Sequence, residues 1–366
     1  MKAVILVGGK ATRLRPLTRN TPKAVVPVLN TPFLEHVIRH LEKHRIRDII
    51  LAQSHLTQPI ENYFGNGSQF GVRLYYSVED SPLGTGGAVK NAENYLDETF
   101  LVLNGDIFTD LDITAMLDTH KGRKAKLTIA RTPVNDATGY GLIETDARGK
   151  ITRFLEKPGP DEITANMINA GTYILEPEVL AQIPPQTNFS IEHELFATLP
   201  NPRIPAWVYD YSTYWIDIGT PEKYLQLHRD LLASKSSQHA PEEVQIGKQS
   251  YIHPTAQIKG PAVIGDNCSI GPNVKLIGPV VIGNGCKIQE GTVVEKSIIW
   301  QNSQLGQRVT LRNSVVANNC YLNDDGIIED SALGDNVTTT SGYRLEPGTQ
   351  SVPQVARPQQ QNSTIP

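Results

Sequence analysis

The second half of the chain repeats with a period of six residues. Aliphatic side chains occupy every sixth position nine times in succession. A small or β-branched residue stands two positions before most of them. A six-residue period fits neither an α-helix nor a hairpin, and it predicts a parallel β-helix whose coils stack aliphatic side chains inside. The repeating residues are Ile246, Ile252, Ile258, Ile264, Ile270, Leu276, Ile282, Ile288 and Val294.

Beyond Val294 the repeat becomes irregular. Aliphatic residues continue, but their spacing is no longer six, and we place them in the same ladder: Leu305, Leu311, Val315, Ile327 and Leu333. The β-helix is therefore predicted over residues 244–346. Residues 347–366 are rich in Gln, Pro, Ser and Thr and are expected to form a disordered tail.

Residues 1–233 follow a different pattern, in which short apolar runs alternate with helical stretches. Thr31 is expected to cap a helix whose first position is Pro32. This alternation predicts βαβ units and a Rossmann-like, mostly parallel sheet, with a ligand at the carboxyl ends of its strands. The polar run 234–243 is the predicted linker to the β-helix. The expected strands are Ala3–Val7, Ile49–Ala52, Val72–Val78 and Phe100–Leu103.

Composition excludes several classes of function. The net charge of −4 provides no basic surface for nucleic acid. No apolar run approaches the roughly 20 residues that span a bilayer, and the apolar N-terminal stretch is too short for a signal peptide. Three cysteines without a paired motif indicate no disulfide framework. A reducing cytoplasm is the expected location, and no membrane partner is expected.

A glycine pair follows the first predicted strand. Gly8 and Gly9 lack a Cβ, so a phosphate or a base can approach the backbone closely. Arg13, Arg15 and Lys23 bring positive charge to the same loop, and a triphosphate needs both backbone N–H groups and cations. The spacing matches neither the P-loop nor the dinucleotide-binding motif. A tight turn with solvated basic residues stays the alternative interpretation at this point.

The motif Gly8-Gly9-x-x-Thr12-Arg13-Leu14-x-Pro16-Leu17-Thr18, with Pro22-Lys23 after it, resembles the signature of the sugar-1-phosphate nucleotidylyltransferases. It resembles in particular the mannose-1-phosphate guanylyltransferase branch, also called GDP-mannose pyrophosphorylase. The resemblance covers essentially the whole chain and implies that the β-helix is left-handed. Four further matches follow in the family's order: Leu103-Asn104-Gly105-Asp106, Glu156-Lys157-Pro158, Asn169-Ala170-Gly171 and Trp215-Ile216-Asp217-Ile218-Gly219.

One residue departs from the family pattern. Ala11 stands where the family usually has Gly. A methyl group is expected to be tolerated there if the backbone dihedral angles are not left-handed.

The resemblance implies an in-line attack of a sugar 1-phosphate on the α-phosphorus of a nucleoside triphosphate, with pyrophosphate as the leaving group. Such a transfer needs positioning and charge neutralisation rather than an enzyme nucleophile. Asp106 and Asp217 would hold Mg²⁺, which prefers carboxylate and phosphate oxygens. Arg13 and Lys23 would bind the triphosphate, and Lys157 would neutralise the sugar phosphate.

The resemblance also implies the remaining contacts. Glu156, Asn169 and the Gly141 amide would bind the sugar. The nucleotide contacts would be Leu6, Gly8, Gly9, Thr12, Arg13, Lys23, Glu79, Gly84 and Thr85.

The nucleobase preference depends on Glu79, which opens the loop that reaches Gly87. Pyrimidine-specific members tend to have Gln at this position, and an amide can both donate to and accept from uracil or thymine. A carboxylate only accepts, and guanine presents two adjacent donors, N1–H and N2–H₂. Glu79 therefore favours GTP.

Several alternatives stay open. The sequence does not distinguish mannose from glucose, so a thymidylyl- or adenylyltransferase or a heptose-1-phosphate guanylyltransferase is an alternative within the class. Acetyl transfer by the β-helix, with His253 as base, and a non-catalytic regulator that binds a sugar nucleotide are alternatives outside it. A homo-oligomer is expected.

Overall fold

The computed structural model describes residues 1–9, 11–54, 58–163, 165–236, 238, 243–345 and 347–348. The first part of the chain combines helices and strands. Its helices are α1 (Phe33–Lys43), α2 (Gln58–Phe64), α3 (Gly84–Asn91), α4 (Ile113–Arg123) and α5 (Pro221–Leu232). Its strands are β1 (Lys2–Leu6), β2 (Pro27–Val28), β3 (Thr31–Pro32), β4 (Asp48–Ser54), β5 (Arg73–Glu79), β6 (Phe100–Asn104), β7 (Ile107–Thr109), β8 (Leu127–Pro133), β9 (Leu142–Thr145), β10 (Ile151–Leu155), β11 (Met167–Leu175), β12 (Ala206–Asp210) and β13 (Trp215–Asp217).

One large sheet organises this domain. Its path runs β10-β9-β11-β6-β1-β4-β5, and β8 and β12 extend it beside β11. The strands β6, β1, β4 and β5 are parallel to one another, whereas β11 runs antiparallel to β6 and to β8. The parallel strands are apolar on both faces because helices and loops cover both sides. The sheet is mixed, and the predicted βαβ pattern forms its parallel half.

The first long helix begins one residue later than predicted. Thr31 and Pro32 form β3, which pairs with β2, and the Phe33 N–H donates to the Val26 carbonyl at 2.9 Å. Pro32 has an extended backbone and is the residue that precedes α1. The local pairing of β2 with β3 therefore replaces the predicted cap.

The second part of the chain is a parallel β-helix with three sheets. Its sheets run β14-β17-β20-β23-β26-β29, β15-β18-β21-β24-β27 and β16-β19-β22-β25-β28-β30. The strands are β14 (Val244–Ile246), β15 (Tyr251–Ile252), β16 (Gln257–Lys259), β17 (Ala262–Ile264), β18 (Ser269–Ile270), β19 (Lys275–Ile277), β20 (Val280–Ile282), β21 (Lys287–Ile288), β22 (Val293–Glu295), β23 (Ile298–Ile299), β24 (Gln304–Leu305), β25 (Thr310–Arg312), β26 (Val315–Val316), β27 (Tyr321–Leu322), β28 (Ile327–Glu329), β29 (Ala332–Leu333) and β30 (Arg344–Leu345).

The irregular spacing beyond Val294 has a simple geometric cause. Val263 pairs with Val281, so this coil has 18 residues, whereas Val281 pairs with Ile298, so the next coil has 17. One residue is lost at the corner that contains Lys296, which has a left-handed backbone. The interior ladder continues through Val294, Ile299, Leu305, Leu311, Val316, Leu322, Ile328 and Leu333.

Two ladder residues were therefore predicted wrongly. Val316 and Ile328 point inside, rather than Val315 and Ile327. Val315 is also buried, but it packs with the core of the first domain. The six-residue period fails because the shortened corner changes the spacing to five, six and six.

A column of small polar side chains runs inside the β-helix. Each side chain donates to a carbonyl oxygen of the following coil, as in the bonds from Cys286 Sγ to Trp300 O at 3.0 Å and from Ser303 Oγ to Ala317 O at 2.8 Å. Cys268 and Cys320 do the same with Gly283 and Gly334. All three cysteines are free and buried, so the column explains their use without a disulfide.

The β-helix packs against α5 of the first domain. Trp300 is buried, and its indole N–H donates to the Tyr224 hydroxyl at 3.0 Å; this hydroxyl in turn donates to the Pro27 carbonyl. Burial lowers the pKa of His228 to about 4. The neutral ring suits its bonds, because Nε2 accepts from the Leu29 N–H and Nδ1 donates to the Tyr224 carbonyl.

The start of the predicted linker is attached to the first domain. Ser236 is buried and its hydroxyl donates to Asp110 Oδ1 at 2.8 Å. Residues 237 and 239–242 of the linker lie outside the described residues, as do residue 346 at the end of the predicted β-helix and residues 349–366 of the predicted tail.

The ladder yields a stability test. Leu276 is fully buried inside the β-helix, and its neighbour Lys275 is exposed on the same strand. We expect Leu276→Ala to lower the free energy of unfolding by about 2–5 kcal/mol, because it leaves a cavity between coils. Lys275→Ala, the matched control, is expected to change it by less than about 0.5 kcal/mol. Denaturant unfolding monitored by circular dichroism measures both; equal effects would contradict the ladder.

Candidate active site

The loop after β1 is held by its apolar residues. Leu14 and Leu17 are fully buried, and the Thr18 hydroxyl donates to the Ala11 carbonyl at 2.8 Å. A Cβ on Gly9 would meet no atom within 4 Å, so the space beside it is open to a ligand. The buried leucines therefore anchor a loop whose glycine backbone remains accessible.

Ala11 does not meet the condition under which its methyl group was expected to be tolerated. Its backbone lies in the left-handed region, with φ 45° and ψ 43°. A residue with a Cβ pays roughly 1–2 kcal/mol for this conformation. The condition is not met because the turn into the short helix Thr12–Leu14 has left-handed backbone angles, which a glycine would adopt freely.

Two carboxylates meet where β7 pairs with β13. Asp217 lies opposite Ile107 in this antiparallel pair, and the Ile218 N–H donates to the Asp106 carbonyl at 3.0 Å. Each carboxylate forms an ion pair with a lysine. Lys23 Nζ lies 2.7 Å from Asp106 Oδ2, and Lys223 Nζ lies 2.5 Å from Asp217 Oδ1.

Tyr140 completes the surroundings of Asp217. Its hydroxyl donates to Asp217 Oδ1 at 2.6 Å, and it also accepts from Lys223. Burial, followed by the bond to Asp217, raises the pKa of Tyr140 well above its usual range. The ring contacts Trp215 edge-on, and the Trp215 indole N–H donates to the Ala170 carbonyl at 3.1 Å. These contacts connect the carboxylate pair to β11.

Arg13 of the glycine loop and Asp217 both lie beside Gly219. A Cβ on Gly219 would lie 2.8 Å from Asp217 Oδ2 and 3.3 Å from Arg13 Nη2. Glycine is therefore needed at position 219 because the carboxylate and the guanidinium occupy the space of a side chain.

The carboxylate pair suits a magnesium ion in its chemistry. Among the described residues, no group of three or more His, Cys, Asp and Glu side chains is placed to hold a metal. Mg²⁺ commonly uses only one or two protein carboxylates and takes its other ligands from phosphate and water. Asp106 and Asp217 fit that requirement.

A cavity of about 420 Å³ lies beside the glycine loop. Gly8, Gly9 and Lys23 line it together with Gln53, whose buried Oε1 has no hydrogen-bond partner in the described structure. Leu6 ends β1, just before the glycine loop. Its carbonyl accepts the Gly105 N–H at 2.9 Å and so connects this end of β1 to the turn after β6.

The predicted sugar contacts come together on β9 to β11. The Asn169 N–H donates to the Gly141 carbonyl at 2.8 Å, and a Cβ on Gly141 would lie 2.8 Å from Glu156 Oε2. Burial raises the pKa of the Glu156 carboxyl, and the negative charge of Glu192 raises it further. Lys157 has a left-handed backbone, is exposed, and places Nζ 3.5 Å from Glu156 Oε1.

The predicted base loop is more strongly tied to the protein than the sequence suggests. Glu79 is buried, and its Oε2 accepts the Leu83 N–H at 2.9 Å. The Thr85 hydroxyl donates to Glu192 Oε2 at 2.6 Å, which commits its single donor. Gly84 has a left-handed backbone, and a Cβ there would lie 2.7 Å from the Phe189 carbonyl oxygen. The absence of a side chain at Gly84 thus lets the loop pack closely against the backbone at Phe189.

Comparisons with known proteins match both parts of the chain. The Nucleotidyl transferase family matches residues 2–234, and the family Bacterial transferase hexapeptide (six repeats) matches 243–278 and 261–296. A mannose-1-phosphate guanyltransferase of Candida albicans is 37% identical over 350 residues, which cover 92% of each chain. A UTP–glucose-1-phosphate uridylyltransferase of Synechocystis sp. is 35% identical over 337 residues, or 86% of this chain and 87% of that one.

The chain belongs to the nucleotidyl transferase family. A solved structure, HddC from Yersinia pseudotuberculosis, is 31% identical with a TM-score of 0.55 and covers 62% of this chain and 97% of that one. The predicted class is confirmed: the protein is a sugar-1-phosphate nucleotidyltransferase whose catalytic domain precedes hexapeptide repeats typical of a left-handed β-helix. None of the helices in the described ranges is long and apolar enough to cross a bilayer.

The predicted residues fall into two groups around one site of this nucleotidyltransferase. The first group is the carboxylate pair Asp106 and Asp217 with Arg13 and Lys23 beside it, and the second group is Gly141, Glu156, Lys157 and Asn169. Sequence reasoning missed Tyr140, Glu192 and Lys223. Tyr140 is adjacent to Gly141, but the sequence carries no motif for Lys223, which lies in the first turn of α5.

The strained Ala11 yields a test of the phosphate loop. Ala11→Gly removes the left-handed penalty, and we expect the KM for the nucleoside triphosphate to fall about two- to fivefold, within the roughly 1 kcal/mol at stake. Ala11→Val, which is β-branched, is expected to raise that KM instead. Steady-state kinetics at saturating sugar phosphate measures both, with the KM for the sugar phosphate as the internal control. Equal KM values for the triphosphate in all three proteins would show that this conformation does not limit binding.

Proposed function

We propose that the protein transfers a guanylyl group from GTP to mannose 1-phosphate and releases pyrophosphate, with Mg²⁺ as cofactor. The observation that carries the proposal is the pairing of β7 with β13, which brings Asp217 beside Asp106. Asp106 contacts Lys23, and Asp217 contacts Tyr140, the neighbour of Gly141. Relatives named mannose-1-phosphate guanyltransferase match along the chain, and they support this choice of substrates.

The residues of the chain serve charge neutralisation and positioning. Asp106 and Asp217 would hold the metal ion, which when bound offsets charge on the phosphate oxygens. Arg13 and Lys23 stand at the same place and would bind the triphosphate oxygens. Such preorganised charges stabilise the charge that develops in the transition state, and no nucleophile of the protein is needed.

The second group of residues would orient the sugar phosphate. Glu156 and Asn169 would bind hydroxyl groups, and the Gly141 amide would add a donor. Lys157 is exposed on a four-carbon side chain, so its ammonium group can turn from Glu156 to the phosphate. This arrangement would aim the phosphate oxygen at the α-phosphorus from the side opposite the pyrophosphate.

The preference for GTP is proposed from Glu79. Its carboxylate is oriented by the bond from the Leu83 N–H and can accept from guanine donors, whereas it offers no donor to a pyrimidine carbonyl. A uridylyltransferase of comparable identity is also similar to the chain, so the base and the sugar are the two points to test. A cytoplasmic homo-oligomer stays a prediction.

The test is pyrophosphate release in a matrix of GTP, UTP, dTTP, ATP and CTP against mannose, glucose and heptose 1-phosphates. We expect GTP with mannose 1-phosphate to give the highest kcat/KM, and excess chelator to abolish the rate. A higher kcat/KM for UTP or dTTP with glucose 1-phosphate would contradict the proposed specificity, although not the transfer reaction.

A variant of Glu79 tests the same choice at one residue. Glu79→Gln is expected to lower kcat/KM for GTP relative to dTTP by roughly five- to a hundredfold, because an N–H₂ group would then face the guanine donors. The matched control is Asp80→Asn, which makes the same kind of change at the exposed neighbouring position. An unchanged ratio in Glu79→Gln would show that Glu79 does not contact the base.

A further inference from the structure

Lys223 and Asp217 form an ion pair at the centre of the proposed metal site. The chain fixes Lys223 there, because Thr220 caps α5 through a bond from the Lys223 N–H and Pro221 occupies the first turn. The Asp217 carboxylate is 10% exposed and the Lys223 side chain 36%. A pair that is partly shielded from water interacts more strongly than a surface pair.

The Lys223 ammonium group contacts an Asp217 oxygen that a metal ion would also need. Asp217 Oδ1 receives both Lys223 Nζ at 2.5 Å and the Tyr140 hydroxyl at 2.6 Å. Oδ2 points toward the position of a Gly219 Cβ, close to Arg13. Oδ1 therefore already has a positive and a hydrogen-bonding partner, and the Arg13 guanidinium lies in the neighbourhood of Oδ2.

The second carboxylate is neutralised in the same way. Lys23 Nζ lies 2.7 Å from Asp106 Oδ2. Lys23, Lys223 and Arg13 supply three positive charges around the two carboxylates. These five groups together carry a net charge of +1. This charge repels a free divalent cation and attracts a triphosphate.

We propose that Lys223 is a built-in counterion that competes with the divalent cation for Asp217. The free enzyme then binds metal weakly, and the metal ion enters together with the triphosphate, whose charge draws the lysines away from the carboxylates. This inference rests on the proposed role of Asp106 and Asp217 as metal ligands. Lys223 is a positioning residue in this scheme, and its flexible side chain is free to turn toward the phosphate oxygens.

The test measures metal binding without substrates. Mn²⁺ is titrated into the full-length protein, and the free ion is followed by electron paramagnetic resonance. Lys223→Met is expected to lower the Kd for Mn²⁺ by roughly ten- to a hundredfold, which corresponds to the loss of one charged hydrogen bond that the ion must otherwise displace. Lys223→Arg keeps the positive charge and is expected to keep the weak binding of the wild type.

Lys235 provides a matched control. Its Nζ lies 2.7 Å from Asp230, whose carboxylate is 10% exposed, as that of Asp217 is. Lys235→Met removes an equivalent ion pair beyond the C-terminal end of α5 and is expected to leave Mn²⁺ binding unchanged. Thermal unfolding of each variant shows whether it is folded, and the Arg variant separates loss of charge from disturbance of the helix.

The double variant Lys223→Met/Asp217→Asn separates the competition by Lys223 from the proposed role of Asp217 as a metal ligand. If Lys223→Met tightens Mn²⁺ binding and the added Asp217→Asn removes the gain, the inference is supported. If Lys223→Met binds like the wild type while Asp217→Asn weakens binding, Lys223 is no competitor, although the proposed metal site stands. If Asp217→Asn has no effect in either background, Asp217 is not a metal ligand and the inference fails with it.

Discussion

The antiparallel pairing of β7 with β13 determines how the candidate active site is assembled. β7 follows the central strand β6 directly, whereas β13 comes from the end of the catalytic domain. Their pairing brings Asp106 and Asp217 together at the edge of the sheet where the glycine loop also lies. The Trp215 bond to the Ala170 carbonyl then fixes the distance between this pair and β11, which carries Asn169. The two groups of site residues therefore share one rigid support.

Charge balance is the second principle of the site. Asp106 and Asp217 would repel each other if both were ionised and unpaired. Lys23 and Lys223 prevent this, and Arg13 adds a further positive charge. Negative charge is concentrated instead at the residues proposed to bind the sugar. There Glu156 and Glu192 are close, and burial raises the pKa of the Glu156 carboxyl. The candidate site thus combines positive charge at one end with carboxylate acceptors at the other.

The sequence predicts the features that depend on local pattern. The six-residue period predicts the β-helix, and the motifs around Asp106 and Asp217 predict residues that the fold places close together. The correct ladder residues Val316 and Ile328 could not be predicted, because each coil after Val281 loses one residue at one of its three corners, at Lys296, Asn313 and Asp330 in turn. Lys223 was missed because a lysine in a first helical turn is ordinarily a surface charge. Its ion pair with Asp217 forms only because α5 packs beside β13.

Catalysis by positioned charges, with no group of the protein attacking the nucleotide, requires a single in-line displacement at the α-phosphorus. The direct measurement is the stereochemistry of transfer from a chiral α-thio analogue of GTP to the sugar 1-phosphate, read by phosphorus NMR of the product. A single displacement predicts inversion of configuration at the α-phosphorus. Retention would require two successive displacements through a covalent intermediate with the protein, and it would contradict the account.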